Sequence, residues 1–394
     1  MHSFHIALLA LAISAPALAD IETAFVWVQG SPGTNFAVMH ADLDTETGDL
    51  SVWGDYQGLV GDLTAVALED LQGQSLGAIQ FTGPREGIAY GTVQLAGPAL
   101  ADALASGVDV QFQTTASPAG EMNGFLSFFQ ITSTTLSISG SQVVGTNGAP
   151  GASGTLNLTT FPDGRVSVGG NMSGIDLPIT ALELRGPAWT DENGPLLLDL
   201  APFNSSANPS SYIAQVPAGV LTGTQLDDIE EGLAYLLVRT NAYPDGAMRG
   251  QLSYGVLGDT YCANRRNSSS FIGGQLELRG SPRLRDGDLR LQGQFFPIGS
   301  LILPIVGTGS QHSFLPGGSE GNLCLAGAPI TRLLNKTSTG QGLGIFAIPM
   351  DLAQIVIPGG VTVGQTLHFQ CWYRDSLQGQ ATSNFSNAVR LHVR

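Results

Sequence analysis

Short runs of β-branched and aromatic residues alternate with polar residues along most of the chain. Runs such as Asp49–Trp53 and Thr366–Trp372 lie between clusters of Gly, Pro, Asn and Asp. There are no heptads and no long stretch with apolar residues at helical spacing. Because a period of two is typical of half-buried strands, the pattern predicts an all-β protein made of three β-sandwich domains.

An internal repeat divides the first two thirds of the chain. Residues 48–65 align without a gap with residues 164–181, and residues 95–124 align with 221–250 at a slightly longer offset. Identical pairs in the first block include Gly48/Gly164, Ser51/Ser167, Val52/Val168, Gly54/Gly170 and Gly58/Gly174. The change of offset places an insertion in the second copy near Thr190–Ser206. A repeat of this length is too long for a solenoid unit and indicates a duplicated domain.

Each copy is expected to contain one short helix before its closing strands. In the first copy Pro98 suits the first helical position and Gly107 the end. In the second copy we expect Thr224 to cap the helix and Gly232 to end it.

The predicted domain organisation follows from the repeat and from local composition. Residues 139–153 are rich in Gly, Ser and Pro and are predicted to be a linker between the copies. The predicted segments are a signal peptide at 1–19, a first domain at 20–138, the linker at 139–153, a second domain at 154–256 and a C-terminal β-sandwich at 259–394.

The N-terminal segment indicates export. Ile6–Ile13 is an apolar run too short to span a bilayer, and Ala17-Leu18-Ala19 is a small-x-small cleavage site. We therefore expect the mature chain to begin at Asp20 and to be secreted or held at the cell surface, with the periplasm as the alternative. No later apolar stretch is long enough to cross a membrane.

The formal net charge of −16 arises in the duplicated part, whereas the C-terminal part is slightly basic. Such an acidic surface argues against nucleic-acid binding by the two copies. The expected partner is an extracellular protein or a polysaccharide.

The order of motifs in the copies resembles the chordin-type domain, CHRD. In the second copy it comprises Ile179-Thr180-Ala181, Gly186-Pro187, Asn193-Gly194-Pro195 and Val238-Arg239-Thr240 through Met248-Arg249-Gly250-Gln251-Leu252. The first copy is degenerate and lacks the Gly-Pro after Thr64-Ala65. The resemblance implies an extracellular immunoglobulin-like or Greek-key sandwich with no established catalytic activity. The His-x-His that many members carry is replaced here by Leu182-Glu183-Leu184.

Residues 259–394 resemble a C-terminal module of large bacterial secreted proteins. The shared layout runs from Tyr261-Cys262 through Gly321-Asn322-Leu323-Cys324-Leu325 and Phe369–Asp375 to Thr382–Val389. The resemblance implies a disulfide between Cys262 and Cys324, which an oxidising compartment would favour. Cys371, in an apolar strand, is expected to be a buried free thiol.

Two clusters are candidates for ligand binding. Asp42, Asp44, Glu46 and Asp49 offer carboxylate oxygens at nearby positions and are a weak candidate for Ca²⁺, the alternative being a solvated turn with Gly48 in a left-handed conformation. Arg279, Arg283, Arg285 and Arg290 form either a charged strand face or an anion patch that could dock an acidic polymer or the acidic repeats.

Catalytic motifs are poorly represented. The histidines after residue 20 show neither His-x-His nor His-Glu-x-x-His spacing, and no Gly-x-Ser-x-Gly elbow or P-loop occurs. No cofactor is therefore expected, apart from the weak calcium candidate. The sequence favours a non-catalytic binding or structural protein of the cell surface or matrix. The alternative is a secreted hydrolase or redox enzyme with a diverged site.

Overall fold

A computed structural model describes residues 21–29, 35–128, 132–161, 164–176, 178–206, 211–252, 256–270, 272–327, 329–342, 344–377 and 379–394. The predicted signal peptide and the cleavage site before Asp20 lie outside these residues. We call residues 21–128 the first repeat, 132–252 the second repeat and 256–394 the C-terminal domain. No helix of the described residues has the length and apolarity to cross a membrane.

The first repeat is an eight-stranded sheet with one helix. Its elements are β1 Ile21–Gln29, β2 Phe36–Asp44, β3 Asp49–Gln57, β4 Leu63–Glu69, β5 Ser75–Phe81, β6 Gly87–Gln94, α1 Pro98–Ser106, β7 Val108–Thr114 and β8 Met122–Leu126. The strand order is β1-β2-β3-β6-β5-β4-β7-β8. In β7, Val108, Val110 and Phe112 are buried and the residues between them are partly exposed, so the period of two separates core from surface.

The second repeat has the same elements. They are β9 Thr132–Ser139, β10 Ser153–Thr160, β11 Val166–Ser173, β12 Ile179–Arg185, β13 Leu196–Asp199, β14 Ser211–Val216, α2 Gly223–Glu230, β15 Tyr235–Thr240 and β16 Met248–Gln251. The strand order is β13-β12-β15-β16-β9-β10-β11-β14.

Both repeats form the same ring of strands, opened at different places. In the first repeat β5 pairs with β6, and Gly124 of β8 lies against the side chain of Val28 without a ladder between β8 and β1. In the second repeat β16 pairs with β9, whereas β13 and β14, the counterparts of β5 and β6, are the two edges. The common ring supports the duplication that the sequence predicts.

The segment 139–153 connects neighbouring strands of one sheet, so the prediction of a linker there is wrong. Strands β9 and β10 pair in register from Thr132↔Thr160 to Ser139↔Ser153. Gly140, Ala149 and Ala152 of the connection are buried. Its Gly- and Ser-rich composition therefore serves a tight, covered turn, and the second repeat begins one strand, β9, earlier than expected.

The helix termini follow the predicted chemistry with one correction. Pro98 occupies the start of α1 and Gly107 its end. In the second repeat the cap is Thr222, whose hydroxyl accepts the Gln225 backbone N–H, while Gln225 Oε1 accepts the Thr222 backbone N–H. This reciprocal capping pair places the helix start before Thr224.

The C-terminal domain is a sandwich of a seven-stranded and a three-stranded sheet with a small two-stranded sheet. Its strands are β17 Asp259–Tyr261, β18 Gln275–Arg279, β19 Leu289–Gln294, β20 Leu301–Gly307, β21 Gly309–Ser313, β22 Leu323–Ala326, β23 Thr331–Arg332, β24 Ser338–Thr339, β25 Phe346–Met350, β26 Thr366–Leu377, β27 Gln380–Phe385 and β28 Ala388–His392. Leu291 and Ile348 of the β18-β19-β25 sheet share a core with Val306 and Phe369 of the large sheet.

Short 3-10 turns connect several strands of the second repeat and of the C-terminal domain. They are Gly140–Gln142, Ala201–Phe203, Pro316–Gly318, Leu334–Lys336 and Leu352–Gln354. The turn at Ala201–Phe203 lies in the predicted insertion, and the bridge Asn204↔Ala214 that follows it covers the edge of β14.

Candidate functional site

Asp42, the first of the predicted calcium ligands, joins the first repeat to the C-terminal domain. Its Oδ2 accepts the backbone N–H of Cys262 at 2.6 Å and lies 2.8 Å from Nε2 of His312. The side chain is almost completely buried. A buried carboxylate is stabilised by such donors, so Asp42 acts here as a contact between domains.

The other predicted calcium ligands do not converge on Asp42. Asp44 Oδ1 accepts the backbone N–H groups of Glu46 and Thr47 in the β2–β3 turn, and the Glu46 side chain is exposed. Within the described ranges, the four carboxylates do not form a group of ligand atoms close enough to share an ion. Gly48 of this turn has a φ of 76°, in the left-handed region.

A row of aromatic side chains crosses the first repeat and runs under the C-terminal domain. Phe25, His40, Trp53 and Tyr90 are direct cross-strand partners on β1, β2, β3 and β6. His312 lies over Trp53 with ring centroids 5.2 Å apart. Trp53 is fully buried, and its Nε1–H donates to the carbonyl of Ala263 at 2.9 Å. Burial lowers the pKa of His40 to about 4, so this ring is neutral near pH 7.

Trp53 was not predicted from the sequence, although the alignment of the two copies contains a signal for it. In the gapless alignment Trp53 stands opposite Gly169, and a Cβ added at Gly169 would meet only one atom, at 3.6 Å. The first repeat has a large aromatic residue at this outward position, and the second repeat has glycine. This difference distinguishes the face of the first repeat that is covered by another domain from the uncovered face of the second.

Arg265 is a second buried contact at the same junction. It is 4% exposed, donates to the carboxylate of Asp55 on β3 and to the carbonyl of Glu320, and was not predicted. Because an unpaired buried guanidinium would be strongly unfavourable, the ion pair with Asp55 ties the position of one domain to the other.

Arg283 and Arg285 of the predicted anion patch contact the second repeat. The Arg283 guanidinium lies 4.6 Å from the ring centroid of Trp189 and donates to Glu192. Arg285 donates to the other oxygen of Glu192 at 2.9 Å. Both arginines follow β18 in the loop to β19. Of the two uses considered for the patch, these contacts correspond to docking of the acidic repeats.

Arg279 and Arg290 do not take part in this contact. They face each other as partners on β18 and β19, where Arg279 pairs with Glu277 at 2.8 Å and Arg290 is exposed. The four arginines are therefore divided between a strand pair and a loop rather than forming one patch.

The loop that receives Arg283 is organised by Arg249, a residue of the CHRD-like motif. Arg249 is 1% exposed and donates to the carbonyls of Trp189, Thr190 and Glu192. Its guanidinium lies 4.0 Å from the ring centroid of Tyr235. The equivalent position in the first repeat is Asn123, which is exposed. The motif therefore has a structural role, because it fixes the loop through its main-chain carbonyls.

Arg394 forms a fourth ionic contact between domains, in which the two carboxylates are largely buried and the guanidinium is partly exposed. Arg394 donates to Glu231 Oε2 at 2.8 Å and to Asp228 Oδ1 at 3.2 Å. Burial raises the pKa of Glu231 to about 7, although the nearby Arg394 charge acts in the opposite direction. Burial likewise raises the pKa of Asp228.

The polar residues of the C-terminal motifs hold main-chain groups. Gln370, fully buried on β26, accepts the Cys324 N–H with Oε1 and donates with Nε2 to the carbonyls of Asn322 and Ser386. Asn387 bonds to both the N–H and the carbonyl of Leu276. Buried amides that satisfy several backbone groups at once give Gln370 and Asn387 a structural role.

The predicted disulfide and the predicted free thiol are both present. Cys262 is bonded to Cys324 with a Cα–Cα distance of 6.2 Å. Cys371 is free and buried, and burial raises its pKa well above the usual value of a thiol. A thiol with a raised pKa is a poor nucleophile.

Beside the first junction lies a polar cleft of about 510 Å³. It is lined by Arg265, Arg266, Asn267, Ser268, Ser269, Ser270, Glu320, Asp375, Ser376 and Gly379. Asp375 is held by the backbone N–H groups of Ser268 and Ser376 and by the amide of Asn384. The side chain of Arg266 is about half exposed and lies 4.0 Å from Asp55. The cleft thus offers hydroxyls, an amide and one accessible guanidinium to a polar ligand.

A smaller groove of about 220 Å³ lies in the second repeat beside Ile179-Thr180-Ala181. The hydroxyl of Tyr212 in its wall is buried and, among the described residues, has no hydrogen-bond partner. Burial and the charge of Asp199 raise the pKa of Tyr212 to about 12, so the hydroxyl can donate to an acceptor over the physiological range.

Comparisons with known proteins identify one part of the chain. No curated protein matches the sequence. A solved structure of a tetra-tandem repeat in the extending region of a large adhesion protein shares 11% identity over 95% of this chain and 92% of that chain, with a TM-score of 0.18, a value too low to support an argument. The model of the CHRD domain family matches residues 134–252. The second repeat, from within β9 to the residue after β16, is therefore the part of the chain that is similar to CHRD domains.

Proposed function

We propose that the chain is an exported, non-catalytic binding or structural protein of the cell surface or matrix. The first repeat would be a diverged CHRD domain, and the C-terminal domain would hold the two repeats in one fixed arrangement. The observation that carries the proposal is the use of the chemically capable side chains. Asp42, His312, Arg283 and Arg394 form contacts between domains, and the thiol of Cys371 is buried.

Four ionic contacts join the C-terminal domain to the repeats. Each combines an arginine or histidine with a carboxylate of a repeat. Removing one partner of such a pair leaves an uncompensated charge, so the observed arrangement is strongly specified. A fixed arrangement of modules suits a protein that presents surfaces to a large partner.

The ligand we propose is a polar extracellular polymer or protein that binds in the cleft of Arg266, Asn267 and Glu320. The cleft residues are held by backbone donors and buried amides, so the site is preorganised and little ordering entropy is lost on binding. The accessible guanidinium of Arg266 would recognise carboxylate or other acidic groups.

The test is a pull-down from native envelope material with the mature chain, residues 20–394. We expect an extracellular component to be retained by the wild type and by Arg290→Glu, and to be lost with Arg266→Glu, because Arg290 is exposed on β19 away from the cleft-lining residues. Equal retention by both variants would refute the cleft as the site. Hydrolysis of ester, glycoside or peptide substrates that is abolished by Asp375→Asn would favour a secreted hydrolase instead.

Export is tested separately by intact-mass analysis of secreted material. We expect a chain that begins at Asp20. Recovery of a soluble cytosolic protein that retains residues 1–19 would contradict the proposed localisation.

A further inference from the structure

Three potential metal ligands meet at the junction of the first repeat and the C-terminal domain. One ligand atom from each of Cys262, Cys324 and His312 lies within 4.8 Å of the other two. The two cysteines come from the start of the domain and from β22, and His312 lies on β21. The group is therefore formed only when the C-terminal domain is folded.

Asp42, which carries an acidic oxygen without a partner among the described residues, contacts His312 and Cys262 of this group. Asp42 Oδ2 is 2.8 Å from His312 Nε2 and accepts the N–H of Cys262, whereas Asp42 Oδ1 is buried and, in the part of the chain that the structure describes, lacks a hydrogen-bond partner. Leaving a buried carboxylate oxygen unsatisfied is unfavourable, so this oxygen is available to a positive group.

We propose that, when the disulfide is reduced, Cys262, Cys324, His312 and Asp42 bind one Zn²⁺ ion between the first repeat and the C-terminal domain. This inference goes beyond the proposed function and does not depend on it. Two thiolates, an imidazole and a carboxylate form a ligand set that zinc accepts in tetrahedral sites. With Zn–S bonds of about 2.3 Å, two sulfur ligands of a tetrahedral ion lie roughly 3.8 Å apart. The cysteine Cα atoms, 6.2 Å apart, allow that separation without a large backbone movement.

Reduction of the disulfide precedes metal binding. Two small-molecule thiols reduce the S–S bond, which yields the Cys262 and Cys324 thiols and one disulfide of the reductant. Binding of Zn²⁺ then releases the two thiol protons, because the thiolates are the ligands. His312 binds through a ring nitrogen in its neutral form, and the Asp42 carboxylate compensates part of the ion's charge. The disulfide and the zinc ion are thus alternative crosslinks of the same two segments.

The experiment titrates Co²⁺, as a spectroscopic substitute for Zn²⁺, into the mature chain before and after treatment with a thiol reductant under anaerobic conditions. We expect the reduced chain to bind one Co²⁺ with visible bands of tetrahedral geometry and sulfur-to-cobalt charge transfer. The oxidised chain should show neither. Cys371→Ser is the matched control, because it removes a buried cysteine outside the site and should leave the spectra unchanged.

Two further variants test the histidine and the carboxylate. His312→Ala and Asp42→Asn keep the disulfide, and in the reduced state each should weaken metal binding by about 10- to 100-fold. Metal affinity unaffected by both variants would overturn the proposed site. If reduction alone unfolds the chain, Zn²⁺ must restore the native near-UV circular dichroism, and failure to restore it would equally overturn the proposal.

Discussion

At the scale of single residues, the most informative side chains are buried and charged. Arg249 donates hydrogen bonds to three carbonyls of one loop that would otherwise be unsatisfied, and Gln370 satisfies three main-chain groups. Such residues cannot be exchanged for others of similar polarity, since each buried backbone group left without a partner destabilises the fold by about 1–3 kcal/mol.

Arg249→Ala should therefore lower the free energy of unfolding of the second repeat by about 3 kcal/mol, and Asn123→Ala at the equivalent position of the first repeat should change it by about 0.5 kcal/mol or less. The physical reason is the loss of donors to Trp189, Thr190 and Glu192. Urea unfolding followed by circular dichroism measures both. A similar small effect for the two variants would contradict the structural role of the motif.

At the scale of elements, the close approach of neighbouring strands explains why Gly54 and Gly170 are shared by the two copies. A Cβ added at Gly54 of β3 or at Gly170 of β11 would lie 2.0 or 2.1 Å from a carbonyl oxygen of the neighbouring strand. At the adjacent Gly169 the nearest atom would be 3.6 Å away. The identity of Gly54 and Gly170 between the copies thus reflects the distance between paired strands.

Gly170→Ala should destabilise the second repeat by about 1–3 kcal/mol, because β10 must move to admit the methyl group. The neighbouring substitution Gly169→Ala is its control and should be neutral or slightly stabilising, since it restricts the unfolded chain without a clash. Thermal unfolding of the two variants makes the comparison. Equal losses would show that the close approach of β10 and β11 does not determine the choice of glycine.

At the scale of the whole molecule, the C-terminal domain contacts each repeat through a separate set of side chains. The first junction combines the buried ring of Trp53 with the Arg265–Asp55 ion pair, whereas the second contains Arg283, Glu231 and Arg394. The two junctions can therefore be weakened independently.

Trp53→Ala should loosen the first junction, with a loss of about 3–5 kcal/mol for a fully buried aromatic side chain. Trp27→Ala, which removes a side chain that is 59% exposed, is the control and should have a much smaller effect. Limited proteolysis and calorimetry of both variants would reveal whether the first repeat separates from the C-terminal domain. An unchanged calorimetric profile for Trp53→Ala would contradict the assignment.

The second junction should make the stability of the folded protein depend on pH. Burial raises the pKa of Glu231 in the folded chain to about 7, above its ordinary value of 4.5, so between these values the folded chain holds a proton that the unfolded chain has lost. The contribution of Glu231 to the free energy of unfolding is therefore full below about pH 4.5 and is lost as the pH rises towards 7. His40 and His368, whose burial lowers the pKa to about 4 and about 3, act in the opposite sense.

Because Glu231 and the two buried histidines change the stability in opposite directions, we predict the difference in stability between a Glu231 variant and the wild type. Glu231→Gln should gain stability relative to the wild type as the pH rises from 4.5 to 7, by about 1–3 kcal/mol across the window. Urea midpoints measured at several pH values give this difference. Glu46→Gln, at an exposed turn, is the control, and a pH-independent difference for Glu231→Gln would contradict the assignment.

The class of fold, the turns and the start of α1 could be predicted from the sequence because the period of two, Gly48 at positive φ and Pro98 at a helix start are local preferences. The duplication was predicted from the alignment of the two copies, and the cysteine pair from the resemblance of residues 259–394 to a known module. The prediction of a linker at 139–153 failed because composition alone does not distinguish a covered turn from an exposed connection.

The role of each charged residue depends on how the domains pack together. Asp42 was predicted to bind calcium with its sequence neighbours, yet its partners are Cys262 and His312, more than two hundred residues away along the chain. Arg283 likewise meets Glu192 of another domain. Charges act through space at distances of a few ångströms, and the packing of separate domains, which no local pattern encodes, determines which charges come that close.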